Sequence, residues 1–327
     1  MLKYCDMNPE TPQVKSLLVV VNPEGSHADQ VQGRVIDLLS REDSPWRGKF
    51  ELLQTKDPRY SNNVDLIGGK LQSDQVVLSC GGDGLFNDVG NAGITKAEAL
   101  VNNYLVALPY GNANDGATSL NGRRVRRASF LPRLLSKGVP KNLDAIQVDR
   151  PNSQQYPRRF ALSYVGLGYT ALGSEALNDS TYRQHKKASK VPNKLLDGWE
   201  LIDVMRHRES LKVAHNNGVR ELQELVFAVQ PRMAAGLVRF DTRELDGRMV
   251  CVEIDAEHFI GEMVARVTEG QLLRGINGER IKRRLITVET ATVMHYDGED
   301  DEVKSNETIE VNVAPSATQT LVLPKRR

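Results

Sequence analysis

Hydrophobic and polar positions alternate along the first part of this 327-residue chain in two different periods. Ser16–Val21 is an unbroken β-type run, the pattern of a strand buried on both faces. It ends in small and polar residues, Asn22, Pro23, Glu24, Gly25 and Ser26. Val31, Val35, Ile36, Leu38 and Leu39 then fall on one helical stripe over residues 28–40. Phe50–Gln54 predicts a second strand, closed by Thr55, and Val64, Leu66, Ile67 and Leu71 a second helix. Residues 75–79 predict a third strand. After a glycine-rich break, Leu85, Phe86 and Val89 return at helical spacing. Residues 105–108 predict a fourth strand, which runs into Pro109, Tyr110, Gly111, Asn112, Ala113, Asn114 and Asp115.

Strands alternating with helices predict a parallel sheet with right-handed crossovers, hence an α/β, Rossmann-like N-terminal domain. After about residue 140 the period changes. Leu143, Ile146 and Val148, then Phe160, Leu162 and Tyr164, read as strands, as do 225–229, 249–254, 285–290, 292–295, 307–313 and 319–323. One helical stretch intervenes at 195–205. Many strands with few helices predict an all-β, sandwich-like C-terminal domain. The expected domains are 1–142 and 143–327. Residues 1–14 read as a loose lead-in, and the polar stretches 178–194 and 214–219 as mobile loops.

Charge and composition narrow the classes. Net charge is +1, so no global field points to nucleic acid. Two local basic clusters, Arg123–Arg127 around Val125 and Lys282-Arg283-Arg284, are solvated faces or steering patches for phosphates or an anionic membrane surface. Hydrophobic residues make up 40% and charged residues 26%, which excludes a disordered chain. Three widely separated cysteines form neither a disulfide framework nor a zinc pattern, and they suit a reducing cytoplasm. Cys80 reads as a small buried residue at a strand end. The longest apolar run is too short to span a bilayer, and no signal-peptide pattern is present. A lipid substrate would therefore be met peripherally, at the membrane surface from the soluble side.

The chemistry gathers at Gly81-Gly82-Asp83-Gly84, between a strand and a helix. Such a turn is either a phosphate cradle, with free N–H groups at the helix start, or an ordinary tight βα connection. The turns after the first, third and fourth strands would all meet at the carboxyl edge of one sheet, where α/β proteins bind ligands.

These residues resemble a known family. Gly81-Gly82-Asp83-Gly84 with Asn87, and Pro109 to Asp115, resemble the two signature loops of the diacylglycerol kinase and sphingosine kinase-like lipid kinases; NAD kinases share the first loop. Asn22-Pro23, Leu143-Asp144 and Asp297-Gly298-Glu299 resemble further motifs of these lipid kinases, in the same order. The resemblance implies transfer of a phosphoryl group from ATP to a lipid hydroxyl, with nucleotide in the cleft between an α/β domain and a β-sandwich. It also implies Mg²⁺ and, as a family-level expectation, a homodimer. Phosphoryl transfer is largely positioning and charge neutralisation, which suits glycine amides and carboxylates.

By that resemblance Gly81, Gly82 and Gly84 contact the nucleotide phosphates. Asn22 and Thr55 line the nucleotide pocket, and Asn87, Gly111, Asn112 and Asn114 add contacts. Asp83, Asp115 and Asp144 belong to a Mg²⁺–water network. Leu245-Asp246-Gly247 resembles the holder of a second metal ion, with one residue fewer between Leu and Asp. The family offers two candidates for the base, Asp83 and Glu299. The expected assignment is Glu299 as base, supported by Asp297, with Asp83 positioning phosphate or metal. The competing reading of 297–299 is a hairpin turn in an acidic surface loop, since Asp300, Asp301 and Glu302 follow. Tyr164, Val165, Leu167 and Tyr169, with the 195–205 helix, are core or the lining of a lipid pocket, and Glu175 and Asp179 could meet a polar head.

Three positions depart from the family pattern: Leu85 where Thr is frequent, Asn112 where Thr or Ser is usual, and Gly116 where a bulky residue is common. The alternatives are an NAD kinase-like enzyme acting on a soluble substrate and a non-catalytic nucleotide- or lipid-binding relative. An NAD-dependent oxidoreductase would want a G-x-G-x-x-G turn after the first strand, and residues 22–26 hold one glycine.

Overall fold

The computed structural model describes residues 14–23, 25, 27–55, 60–96, 102–111, 114–153, 157–179, 181, 182, 185, 189, 196, 200, 203, 210–215, 218–233, 238–240, 242, 246–255, 273–276, 278–297 and 299–324. The chain divides into two compact units: residues 1–143 with 316–327, and residues 144–315.

The first unit is built on β1 (Ser16–Val21), α1 (Ala28–Val31), α2 (Asp37–Ser40), β2 (Phe50–Gln54), α3 (Tyr60–Gly68), β3 (Gln75–Gly81), α4 (Asp83–Thr95), β4 (Tyr104–Pro109), α5 (Asp115–Asn121) and α6 (Phe130–Lys137). A π-helical turn, Gln32–Ile36, joins α1 to α2, and a 3₁₀ turn, Gly122–Arg126, follows α5. The strands lie parallel in the order β4-β3-β1-β2. Every residue of β3 is buried, as expected of an apolar run covered on both faces. The predicted helical stripe is real: Val31, Val35 and Leu39 are all buried.

The second unit contains the end of β5 (Val139–Asp149), then β6 (Arg158–Ala161), β7 (Tyr164–Gly168), α7 (Tyr169–Asn178), β8 (Leu211–His215), β9 (Gly218–Ala228), β10 (Arg232–Met233), β11 (Val238–Phe240), β12 (Met249–Asp255), β13 (Leu273–Ile276), β14 (Glu279–Ile281), β15 (Arg283–Val288), β16 (Thr292–Tyr296), β17 (Glu299–Val303) and the first part of β18 (Glu307–Val322). The main ladder, β17-β16-β7-β9-β8-β15-β18, is antiparallel. β12 pairs with the other edge of β9. The end of β9, residues 225–228, and the start of β12, residues 249–252, are buried on both faces. Leu225, Phe227, Met249 and Cys251 enter one core, while Val226, Ala228, Val250 and Val252 enter a second. That explains their unbroken apolar runs.

Four features differ from the sequence expectation. Residues 211–215 and 218–222, partly read as a polar loop, pair as a hairpin, because Leu211, Val213 and Leu222 alternate inward while the intervening residues face out. α7 was not foreseen; its Gly173 and Ser174 weaken the helical pattern, and Ala171, Leu172 and Val293 bury it. Residues 299–303 are strand β17, paired along its length with β16. The last residues do not stay in the second unit: Thr320 pairs in parallel with Leu105 of β4, and its hydroxyl donates to the Leu105 carbonyl at 2.5 Å. Of the helix expected over 195–205 only Leu196, Glu200 and Asp203 are described, and all three are helical.

Candidate functional site

The carboxyl ends of the parallel strands bring the first set of predicted residues to one edge of the first unit. Asn22 follows β1, and its carbonyl accepts the Gly25 N–H at 3.0 Å. Glu24 and Ser26 of that turn lie outside the described residues. Thr55 follows β2; its N–H and hydroxyl both donate to the Val21 carbonyl, at 3.0 and 3.4 Å, and so tie the ends of β1 and β2. β3 ends at Gly81, and α4 begins at Asp83 with Gly82 as its N-cap. The break is therefore a single residue long.

Two glycines make a close approach possible here. A Cβ on Gly111 would lie 2.2 Å from the Gly82 Cα, so the turns after β3 and β4 touch backbone to backbone. The Tyr110 N–H reinforces the contact by donating to the Gly81 carbonyl at 3.2 Å. Asn114, at φ 57°, caps α5, and its side chain bonds both the N–H and the carbonyl of Gly111. Asn112 and Ala113 lie outside the described residues.

Asp83 joins the two turns electrostatically. Its Oδ2 accepts the Asp115 N–H at 3.0 Å and its Oδ1 the Gly116 N–H at 2.9 Å. A carboxylate on α4 thus caps the N-terminus of α5, where free amides and the helix dipole favour an anion. Asp115 itself is buried. Leu85 is also buried and lies under Gly81, where an added Cβ would meet its Cδ2 at 2.7 Å. Phe86 fills the space that a side chain at 116 would need, 3.0 Å from a Cβ there, which accounts for Gly116. Asn87 is fully buried inside α4, its carboxamide oxygen accepting from Asn91 at 3.2 Å. Beside it Asp88, which the sequence did not single out, is buried and accepts from Asn63 at 3.0 Å. Gly84 lies in the first turn of α4.

The second unit holds the remaining residues. Asp144 accepts the Gly247 N–H at 3.3 Å. Asp246 is ion-paired to Arg280 and accepts the Arg248 N–H at 3.1 Å. Asp297 is fully buried at φ 48°, and its carboxylate accepts the main-chain N–H groups of Leu162, Ser163 and Tyr164. It pins the β16–β17 turn to the start of β7: the hairpin of the competing reading is present, and Asp297 is buried in it rather than facing solvent. Gly298 lies outside the described residues.

Glu299 is partly exposed and pairs with Arg159 at 2.5 Å. Arg159 is itself buried and lies over the Tyr296 ring at 4.4 Å. Sequence reasoning missed Arg159, because nothing local marks one arginine in a strand as the partner of a carboxylate 140 residues away. It also missed a buried relay: the Tyr164 hydroxyl contacts His295 Nε2 at 3.1 Å, and His295 Nδ1 contacts Asp300 at 2.7 Å. Behind β17, Arg150 bonds Glu307 and Asp301; burial raises the pKa of the Asp301 carboxyl, and Arg150 only partly offsets it.

Among the described residues no group of three or more His, Cys, Asp or Glu side chains is placed to hold a metal ion. Mg²⁺ bound through substrate phosphates needs only one or two carboxylates, and Asp115 beside Asp83 supplies these. Asp246, expected beside a second metal ion, has its carboxylate ion-paired with Arg280.

Residues 16–148 match the diacylglycerol kinase catalytic domain. No match was found among curated protein sequences. The fold is shared with a diacylglycerol kinase from Bacillus anthracis str. Sterne: TM-score 0.64, 16% identity, covering 95% of this chain and 97% of that one. It is also shared with yeast NADH kinase complexed with NADH: TM-score 0.52, 10% identity, covering 98% of this chain and 85% of that one. Residues 16–148, which hold both glycine-containing turns, are thus similar to the diacylglycerol kinase catalytic domain, and the fold is shared with these kinases over nearly the whole chain.

Proposed function

We propose that the protein transfers the γ-phosphoryl group of ATP to a hydroxyl of a lipid of diacylglycerol or sphingoid type, acting at a membrane surface. The observation that carries the reading is the junction of the two glycine turns, Gly82 against Gly111, with Asp83 spanning from α4 to the amides of α5. The start of α4, at the carboxyl edge of the sheet, is the proposed seat of the nucleotide phosphates, since the first amides of a helix favour an anion. No helix among the described residues is long and apolar enough to cross a membrane, so the lipid would be met at its headgroup.

In this reaction Glu299 takes the proton of the attacking hydroxyl, the hydroxyl oxygen bonds the γ-phosphorus, and ADP leaves with the electrons of the broken bridge. Glu299 suits the base better than Asp83. Both oxygens of Asp83 are engaged by main-chain amides, whereas Glu299 is aimed by the Arg159 guanidinium and stays partly exposed. Asp297 acts as a positioning residue: it fixes the turn from which Glu299 projects. Bound Mg²⁺ would supply charge neutralisation at the phosphates, and in the first unit Asp115 and Asp83 are the carboxylates proposed to hold it.

The test is transfer of label from γ-labelled ATP with Mg²⁺ to diacylglycerol, a sphingoid base, a crude lipid extract and NAD, each offered separately. Label in the lipid phase supports the proposal. Label on NAD alone supports the second reading, favoured by the likeness to yeast NADH kinase, and overturns the first. Glu299→Gln is expected to lower turnover by at least about a hundredfold, in the range of general-base loss. Full activity in that variant removes Glu299 as base.

A further inference from the structure

The basic cluster at residues 123–127 is solvent-exposed, and it also borders a concavity. Two of its arginines, Arg126 and Arg127, line a pocket of about 470 Å³ in the first unit. Arg34, from the π-helical turn between α1 and α2, lines it from another segment, beside His27. Among the described residues none of these three guanidiniums has an ion-pair partner. The arginines of the second unit behave differently: Arg150, Arg159, Arg280 and Arg284 are each paired with a carboxylate. Three like charges line one concavity whose lining, among the described residues, holds no acidic residue, a field that favours an anion.

The rest of the lining narrows the ligand. One wall is apolar, made by Leu108, Val125, Phe130 and Leu131, and Tyr110 stands beside Arg34. Burial pushes the Tyr110 hydroxyl up to about 12, so it remains a neutral donor. Gly111 and Asn114 form the rim, so an occupant touches the turn that also meets Gly82. Planar forked donors above an apolar wall recognise a phosphate that carries an organic group.

We infer that the Arg34–Arg126–Arg127 pocket binds a phosphate anion as a second site beside the glycine turns, its source either the phosphodiester headgroup of an anionic phospholipid or a free phosphate such as pyrophosphate. The phospholipid source extends the surface-active kinase reading. The pocket chemistry stands without it, and the experiment reads binding rather than turnover, so either idea can fail alone.

The experiment uses the full chain, a triple variant Arg34→Gln, Arg126→Gln, Arg127→Gln, and a charge-matched control, Arg41→Gln, Arg123→Gln, Arg133→Gln, at positions outside the pocket. Labelled pyrophosphate is followed by equilibrium dialysis. Vesicles of phosphatidylcholine with and without phosphatidylglycerol are followed by flotation at about 0.15 M salt, where diffuse surface attraction is screened. The wild type is expected to bind at least one of the two anions, with roughly a hundredfold loss in the triple variant and under threefold in the control. Retention on phosphatidylglycerol vesicles assigns the lipid source; pyrophosphate binding without it assigns the free anion. Equal loss in the triple variant and control, no binding of either anion by the wild type, or complete displacement of pyrophosphate by ATP overturns the site. Single variants Arg126→Gln and Arg127→Gln, each expected to lose about fivefold, serve if the triple variant does not fold.

Discussion

Asp83 shows what one residue contributes here. Its two oxygens each receive a main-chain N–H from the start of α5, so its removal loosens a neighbouring helix as well as the turn. Asp83→Asn keeps the shape but sets an NH₂ group against one of those amides. An expected loss of about 1.5–3 kcal/mol is measurable by urea unfolding; an unchanged midpoint would show that the two bonds matter little. The sequence marked Asp83 as chemistry, but its amide partners lie more than 30 positions away and could not be read from the motif. Buried Glu224 gives a second test. Its carboxylate accepts the Thr170 N–H at 2.8 Å, yet burial raises its pKa from 4.5 to about 8. Folding therefore takes up a proton between those values. This contribution to stability is fully present below the unfolded pKa and is lost as pH rises through the folded one. Glu224→Gln, neutral at every pH, should match the wild type near pH 5 and exceed it in urea midpoint near pH 9. A parallel pH dependence of the two proteins rules the linkage out.

At the scale of elements, apolar runs were the legible signal and acidic or polar strands were not. β1, β3 and β4 declare themselves, because strands covered on both faces need continuous Val and Leu. β17 hides, because Glu299, Asp300 and Asp301 have low strand propensity; pairing with β16 and the burial of Val303 hold it in place. The first half of β9 hides for a similar reason, its outer residues being charged. The end of β18 was legible as a strand but not as a partner of β4, since pairing cannot be read from one segment alone. Removing residues 316–327 takes away Thr320 and the buried Leu321 from β4. Amides of Leu105 to Leu108 should then exchange at least tenfold faster in hydrogen-exchange measurements. Unchanged protection would mean that β4 is held without this strand.

For the whole molecule, the motif residues fall in both units: the glycine turns and Asp115 in the first, Asp144, Asp246, Asp297 and Glu299 in the second. The motif order along the chain carried the resemblance to the lipid kinases, while Arg159 and the Arg34 pocket emerged only once the chain was folded. If nucleotide is bound as proposed, a non-hydrolysable ATP analogue with Mg²⁺ should slow amide exchange first at residues 81–84 and 110–116. Protection confined to the second unit would contradict the assignment of the phosphates to the glycine turns.

The return of the chain to β4 has a consequence for how the protein is made. Thr320 and Leu105 are 215 residues apart, and the whole second unit is synthesised between them. At typical elongation rates of about 5–20 residues per second, β4 waits roughly 10–40 seconds for its neighbour. During that interval a nascent chain carries an apolar strand with an open edge, the kind of surface that invites mispairing. Tyr104 to Leu108 are thus where a chaperone that shields unpaired strands has most to do, and where slowed translation of the second unit would show first as aggregation.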